Sequence, residues 1–197
     1  MTSTTTNNNG KKYDFRGKVA LITGSSSGIG AAIAIQFAQF GAQVVLTGTN
    51  SAALEKVAAQ IRQTSSQNTE PLIVVGNLLK EGFPAKLIQQ TVALFGRLDM
   101  LVNNAGTGSP KGTLKDPELL AEFDRLFRLN VRVPVELTQL AVPYLEETKG
   151  SVLNISSSTS LRPYFLVYSS SKAALNVVTQ CSALELGPRG IRVNAIV

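Results

Sequence analysis

Tyr168 and Lys172, four residues apart, are the pair in this 197-residue sequence whose types and spacing most suggest chemistry. At the opening of a helical pattern they share one face, one turn from each other. A free phenol titrates near 10, so using it as an acid or base near neutrality takes a shift of about three units, roughly 4 kcal/mol of preference for the phenolate. A neighbouring ammonium pushes in that direction. The same spacing equally describes an amphipathic surface on which the phenol packs and the amine is solvated. The composition narrows the choice: there is no histidine and no tryptophan, and Cys181 is the one cysteine. A Ser-His-Asp triad, a Cys-His pair and a histidine metal site are excluded, and no metal is expected. A single cysteine closes no intramolecular disulfide, which favours a reduced, cytoplasmic setting. Proton transfer is left to carboxylates, lysines, the thiol and four tyrosines.

Short apolar runs alternating with helical patterns must position that pair. Strands are expected at 18–23, 43–47, 72–75, 98–103, 151–156 and 191–197, and helices at 29–40, 52–63, 85–95, 118 to about 145, and 168–186. Gly41 reads as the cap that closes the first helix. Strands apolar on both faces and joined by helices imply a doubly wound α/β fold, a parallel sheet with helices on both faces. Its ligand crevice lies beyond the carboxyl ends of the strands, where strand order reverses. Cys181, among Val177, Val178 and Leu184, is expected as a small buried hydrophobe.

Between the first strand and its helix stands Thr23-Gly24-Ser25-Ser26-Ser27-Gly28-Ile29-Gly30. Gly24 permits a tight turn, Gly28 lets the backbone approach a bulky anion, and Gly30 lets the helix press on the sheet. The helix amides then face a pyrophosphate. Plain turn chemistry is the alternative for glycines placed so.

Further motifs follow in order: Asn103-Asn104-Ala105-Gly106 after the fourth strand, Asn130 in the long helix, and Asn154-Ile155-Ser156-Ser157 ending the fifth strand. Tyr168-Ser-Ser-Ser-Lys172 and Arg192-Val-Asn-Ala195 complete the set. From about Phe15 onward the chain resembles the classical short-chain dehydrogenases/reductases, whose Rossmann sheet binds a nicotinamide dinucleotide. That resemblance implies hydride transfer between the cofactor and a small carbonyl/alcohol substrate. Tyr168 would exchange the substrate proton, with Lys172 lowering its pKa and holding the nicotinamide ribose. Ser157 would polarise the carbonyl, and Asn130 would hold a water on the proton relay. Ser157 precedes Tyr168 by eleven residues where thirteen is usual, so a contraction of the 161–167 loop is expected, and Ser156 and Ser158 remain alternatives for the serine.

The resemblance also implies cofactor contacts at Gly24, Ser26, Ser27, Gly28, Ile29, Gly30, Asn103, Ala105, Gly106, Tyr168 and Lys172. Thr49 and Asn50, after the second strand, would flank the adenosine ribose. Gly48 stands where relatives that prefer NAD carry an aspartate, which favours NADP(H); Thr49 stands where an arginine often clamps the 2′-phosphate, so NAD(H) stays open. Asn77 matches an aspartate that contacts adenine.

Against 13 Asp and Glu stand 19 Lys and Arg, a net charge of +6, about half of it near the amino terminus. With no clustered basic residues and aromatics, nucleic acid is not an expected partner. No apolar run is long enough to span a membrane. Residues 1–14 are expected as a disordered low-complexity tail and 15–197 as one domain. Six strands are present, and the family's usual last strand is expected to be missing by truncation. A cofactor-binding but catalytically weak chain is therefore the second expectation, a basic nucleic-acid module the remote third. Homo-oligomers, as in relatives, are a further expectation.

Overall fold

Every side chain of the run Val19–Thr23 is buried, and successive residues face opposite ways. Val19 and Leu21 enter one apolar core, while Ala20 and Ile22 enter another. A strand apolar on both faces needs cover on both, and the computed structural model, which describes residues 13–65, 70–108 and 113–197, supplies it. Six strands, β1 (Val19–Thr23), β2 (Gln43–Gly48), β3 (Leu72–Val75), β4 (Met100–Asn103), β5 (Ser151–Ile155) and β6 (Arg192–Ile196), form one parallel sheet in the order β3-β2-β1-β4-β5-β6. Helices α1 (Gly28–Gln39) and α2 (Ser51–Thr64) pack against Ile22, Val44 and Leu46. Helices α3 (Phe83–Phe95) and α5 (Val133–Thr148) pack on the other face against Leu21, Val45 and Leu101, joined there by Leu186 at the end of α6 (Leu166–Leu186). This is the doubly wound Rossmann arrangement, with strand order reversing between β1 and β4.

Chain ends of the elements follow local chemistry. Gly41, at φ 97°, donates its N–H to Ala38 O while Ala42 N–H reaches Phe37 O, a Schellman closure of α1. The single helix expected from residue 118 is a continuous helical backbone made of α4 (Leu119–Phe127), a π-helical segment Arg128–Arg132 and α5. The extra residue of the π-turn re-aims the side chain of Asn130 into the protein, where it is fully buried.

Cys181 differs from expectation: it is exposed on α6. The buried positions of that helix include Lys172, Leu175, Thr179 and Leu186, whereas Val177 and Leu184 face outward with Cys181. Of the expected tail, residues 1–12 lie outside the described residues; the ring of Tyr13 packs on those of Phe15 and Phe40. Among the described residues no helix is long and apolar enough to cross a membrane.

Candidate active site

Hydroxyl groups lace the strand ends together where the sheet order reverses. Thr23, buried at the end of β1, donates Oγ1 to Val102 O and accepts the N–H groups of Asn104 and Ala105 at 3.0 and 2.9 Å. Asn104 returns the link, its Nδ2 donating to Thr23 O and Gly24 O. One strand over, Ser25 Oγ accepts Thr47 N–H at 2.9 Å and Thr47 Oγ1 donates to Val74 O at 2.7 Å. Through these bonds the turn after β1 is fixed to the loop after β4 and to the end of β2, itself tied to β3, which sets where the loops after those strands begin.

Those loops border a groove of about 430 Å³ lined by Gly24, Ser26, Ser27, Ile29, Gly48, Thr49, Gly76, Asn77, Leu78, Asn104, Ala105, Gly106 and Leu129. None of these residues is charged. Its negative end-group binder is α1: Ser27 caps that helix without a side-chain hydrogen bond, and no acidic residue occupies the first turn. The first-turn amides are left for an anion. Gly30 is needed for the approach of helix to turn, since a Cβ there would stand 2.5 Å from Gly24 O and press on Asn104 Nδ2. An extended groove, uncharged walls and a bare helix terminus fit a dinucleotide with a pyrophosphate at its middle.

At Gly106 the groove meets the residues that carry chemistry. A Cβ at Gly106 would lie 3.2 Å from Asn130 Oδ1 and 3.3 Å from Lys172 Nζ. Lys172 is buried, 4% exposed, and donates to Ile155 O at 2.7 Å. Burial lowers its pKa to about 8. Its Nζ lies 5.9 Å from the centre of the Tyr168 ring. The Tyr168 phenol has no hydrogen-bond partner among the described residues, and its ring faces the backbone at Gly108. Asn130 is spoken for on both sides: Oδ1 accepts Thr107 N–H at 3.0 Å, and Nδ2 donates to Thr107 O and to Ser171 Oγ. Its amide bolts the loop after β4 to α6. Ser157 Oγ accepts from both the N–H and the hydroxyl of Thr159, at the head of a 3-10 turn Ser158–Ser160.

Of the residues expected to touch a cofactor, the groove gathers Gly24, Ser26, Ser27, Ile29, Thr49, Asn77, Ala105 and Gly106. Gly28 and Gly30, in the first turn of α1, are not among its lining residues. Asn103 does not reach it: it shares a face of β4 with Leu101, and its Nδ2 donates to Asn154 Oδ1 at 2.9 Å across the β4–β5 pair. Asn154 passes the link to Thr179 on α6. Asn50 spends its side-chain oxygen on Ala53 N–H as the cap of α2. Asn77 Oδ1 accepts Leu79 N–H, which uses the acceptor the adenine contact was expected to employ. Asn104, Gly76, Leu78 and Leu129 line the groove without having been singled out; the position of Gly76 and Leu78 just after a strand was the available signal. No group of three or more potential metal ligands occurs among the described residues.

Comparison with known proteins bears on this arrangement. A family model described as short chain dehydrogenase matches residues 18–197. An L-xylulose reductase of Caenorhabditis elegans is 38% identical over 191 residues, covering 93% of this chain and 72% of that protein. A versicolorin reductase of Emericella nidulans is 38% identical over 189 residues, covering 93% of this chain and 69% of that protein. Among solved structures, an L-sorbose reductase from Gluconobacter frateurii in complex with NADPH and L-sorbose superposes with a TM-score of 0.86 at 32% identity, over 93% of this chain and 69% of that one.

Proposed function

The chain belongs to the short-chain dehydrogenase family, a family of oxidoreductases acting on CH–OH and C=O groups, and on that premise we propose that it exchanges hydride between NADP(H) and a small carbonyl or alcohol. The observation that carries the reading is the meeting of Tyr168, Lys172 and Asn130 at the Gly106 end of the groove. A bound nicotinamide dinucleotide supplies or takes up the hydride. The α1 amides would hold its pyrophosphate, Gly76, Asn77 and Leu78 would flank the adenine, and Thr49 would meet the ribose.

Tyr168 gives its phenolic proton to the substrate oxygen during reduction and takes it back during oxidation. Its hydroxyl is free of other partners among the described residues, so no internal hydrogen bond must break first. The Lys172 ammonium, held by Ile155 O, stands one helical turn away, 5.9 Å from the centre of the Tyr168 ring. Ser157 donates a hydrogen bond to the developing oxyanion. Asn130 keeps the Thr107 loop and α6 at a fixed separation. For cofactor choice, the groove beside Gly48 and Thr49 carries no carboxylate to repel a 2′-phosphate, and Ser26 Oγ lies where a Cβ at Gly48 would sit 3.3 Å away. The L-sorbose reductase neighbour was solved with NADPH. Outward-facing Val135, Val177 and Leu184 on the two long helices support self-association as part of the same reading.

Equilibrium titration with NADPH and NADH tests the cofactor assignment. Binding of NADPH about tenfold or more tighter than NADH, a difference of ~1.4 kcal/mol, is expected. Tighter NADH would overturn the NADP assignment, and no binding of either would remove the whole reading.

A further inference from the structure

Three consecutive residues leaving β5 are each fastened to α6. Ile155 O accepts from Lys172 Nζ at 2.7 Å, and the Ser156 hydroxyl donates to Lys172 O at 3.3 Å. The third tie runs through two side chains. Asn176 Nδ2 donates to Ser160 Oγ at 2.8 Å, and Ser160 Oγ donates to Ser157 O at 2.6 Å. Asn176 follows Lys172 by one helical turn and Tyr168 by two, so all three lie along one face of α6. We propose that Asn176 is a positioning residue: it fixes the turn headed by Ser157 to the helix that carries Tyr168 and Lys172. The proposal rests on the reading of Ser157 as the group that polarises the carbonyl.

Among the described residues, the other hydrogen bonds of the turn are internal to it. It is one turn of 3-10 helix with no buried residue, and 3-10 hydrogen bonds are poorly aligned. Its internal bonds, Ser160 N–H to Ser157 O and the N–H groups of Leu161 and Arg162 to Ser158 O, fix its shape and not its place. Leu161, Arg162, Pro163 and Tyr164, which follow, are all exposed and anchor nothing in the core. The far end of this loop is held separately, by Ser169 Oγ accepting the N–H groups of Tyr164 and Phe165 at 3.2 Å each. Among the described residues, the Asn176–Ser160 bond is the hydrogen bond that ties the near end beyond Ser156 to α6.

The amide itself points the same way. Asn176 Oδ1 is buried without a hydrogen-bond partner among the described residues. A half-satisfied buried carboxamide is less stable than an apolar side chain of similar size. Helix packing alone gives no reason for asparagine at this position, whereas the bond from Nδ2 to Ser160 does.

The test pairs amide exchange with a double-mutant cycle. In Asn176→Ala, exchange at Leu161 and Arg162 is expected to accelerate about tenfold, the loss of one net hydrogen bond, with the rest of α6 unchanged. Ser160→Ala, which removes the acceptor without touching the helix, is expected to match it. With any carbonyl that the wild type reduces, kcat is expected to fall about tenfold in Asn176→Ala while NADPH affinity holds, and to fall no further when the substitution is added to Ser157→Ala. Unchanged exchange, or an equal kcat loss in the presence and absence of the Ser157 hydroxyl, would overturn the proposal. A wild type that binds no nicotinamide cofactor and reduces no carbonyl would remove the oxidoreductase reading instead, and the exchange rates would then decide on the Asn176 link by themselves.

Discussion

Lys172 holds its Nζ 5.9 Å from the centre of the Tyr168 ring, one turn along α6, and is 4% exposed. A solvated surface amine, the ordinary outcome for a Tyr/Lys pair at this spacing, is therefore not what the fold builds. It buries an ammonium next to a phenol, with the Ile155 carbonyl as the partner that makes burial tolerable.

That burial makes stability depend on pH in a particular sense. The folded pKa of Lys172 is about 8, below the value near 10.4 of an unfolded lysine, so between the two the unfolded chain binds more protons. The Lys172 penalty is thus complete below about pH 8 and disappears toward about pH 10.4. Relative to Lys172→Met, the wild type is expected to gain on the order of 1–3 kcal/mol between about pH 7 and 10.5 in urea unfolding. A difference that stays flat over that range contradicts the assignment.

Asp99 predicts a slope of the same sign in the acid range. It is buried at the start of β4, where burial pushes its pKa up, but hydrogen bonds from Arg97, the Val19 N–H and Lys18 outweigh that and hold it below the usual value. Because the folded pKa is depressed, its contribution is present above about pH 4 and is lost as pH falls through the folded value. Asp99→Asn is expected to cost about 1–3 kcal/mol at neutral pH, less than a fully buried pair because Arg97 and Lys18 are themselves part-exposed. The cost should shrink below about pH 4 in the same unfolding assay.

A methyl group at Gly30 has nowhere to go. With a Cβ 2.5 Å from Gly24 O, Gly30→Ala must displace the turn from the helix, and a loss of about 1–3 kcal/mol in stability is expected. Cofactor affinity should fall with it. Wild-type affinity in a folded Gly30→Ala variant, read by fluorescence titration, would show that the turn does not shape the groove.

At Gly106 the expected outcome separates turnover from folding. Its Cβ would reach Asn130 Oδ1 and Lys172 Nζ at distances that need only a few tenths of an ångström of adjustment. Gly106→Ala is expected to remain folded, with a thermal midpoint within a few degrees of wild type, yet to lose about tenfold or more in kcat because misplacing catalytic groups slightly is costly. Unaltered kcat would place the reacting atoms elsewhere.

The βα rhythm, the parallel sheet and the glycine turn were legible in the sequence because each follows from local spacing. Runs such as Val19–Thr23 and Val44–Leu46 have one physical solution, burial on both faces. Less legible was the direction of polar side chains at element ends. Asn103 and Asn104 are neighbours, yet one is buried against Asn154 and the other ties Gly24 to β4; strand alternation with Leu101 was the clue. Asn50 went to a helix cap because a short polar side chain at that position has a backbone donor within reach before any ligand arrives. The π-turn at Asn130 and the exposure of Cys181 depend on how whole helices pack, which residue spacing along one helix does not encode.

The most direct test of Tyr168 as the proton-transfer group is NADPH-dependent turnover of a panel of small ketones, aldehydes and keto-sugars by wild type and Tyr168→Phe, with NADPH affinity measured on both. The substitution removes a hydroxyl that bonds to nothing else among the described residues, so fold and affinity should be preserved. Loss of turnover by about a thousandfold or more at unchanged affinity is predicted, within the range by which a positioned acid/base group accelerates a reaction. Substantial turnover in Tyr168→Phe would contradict the account.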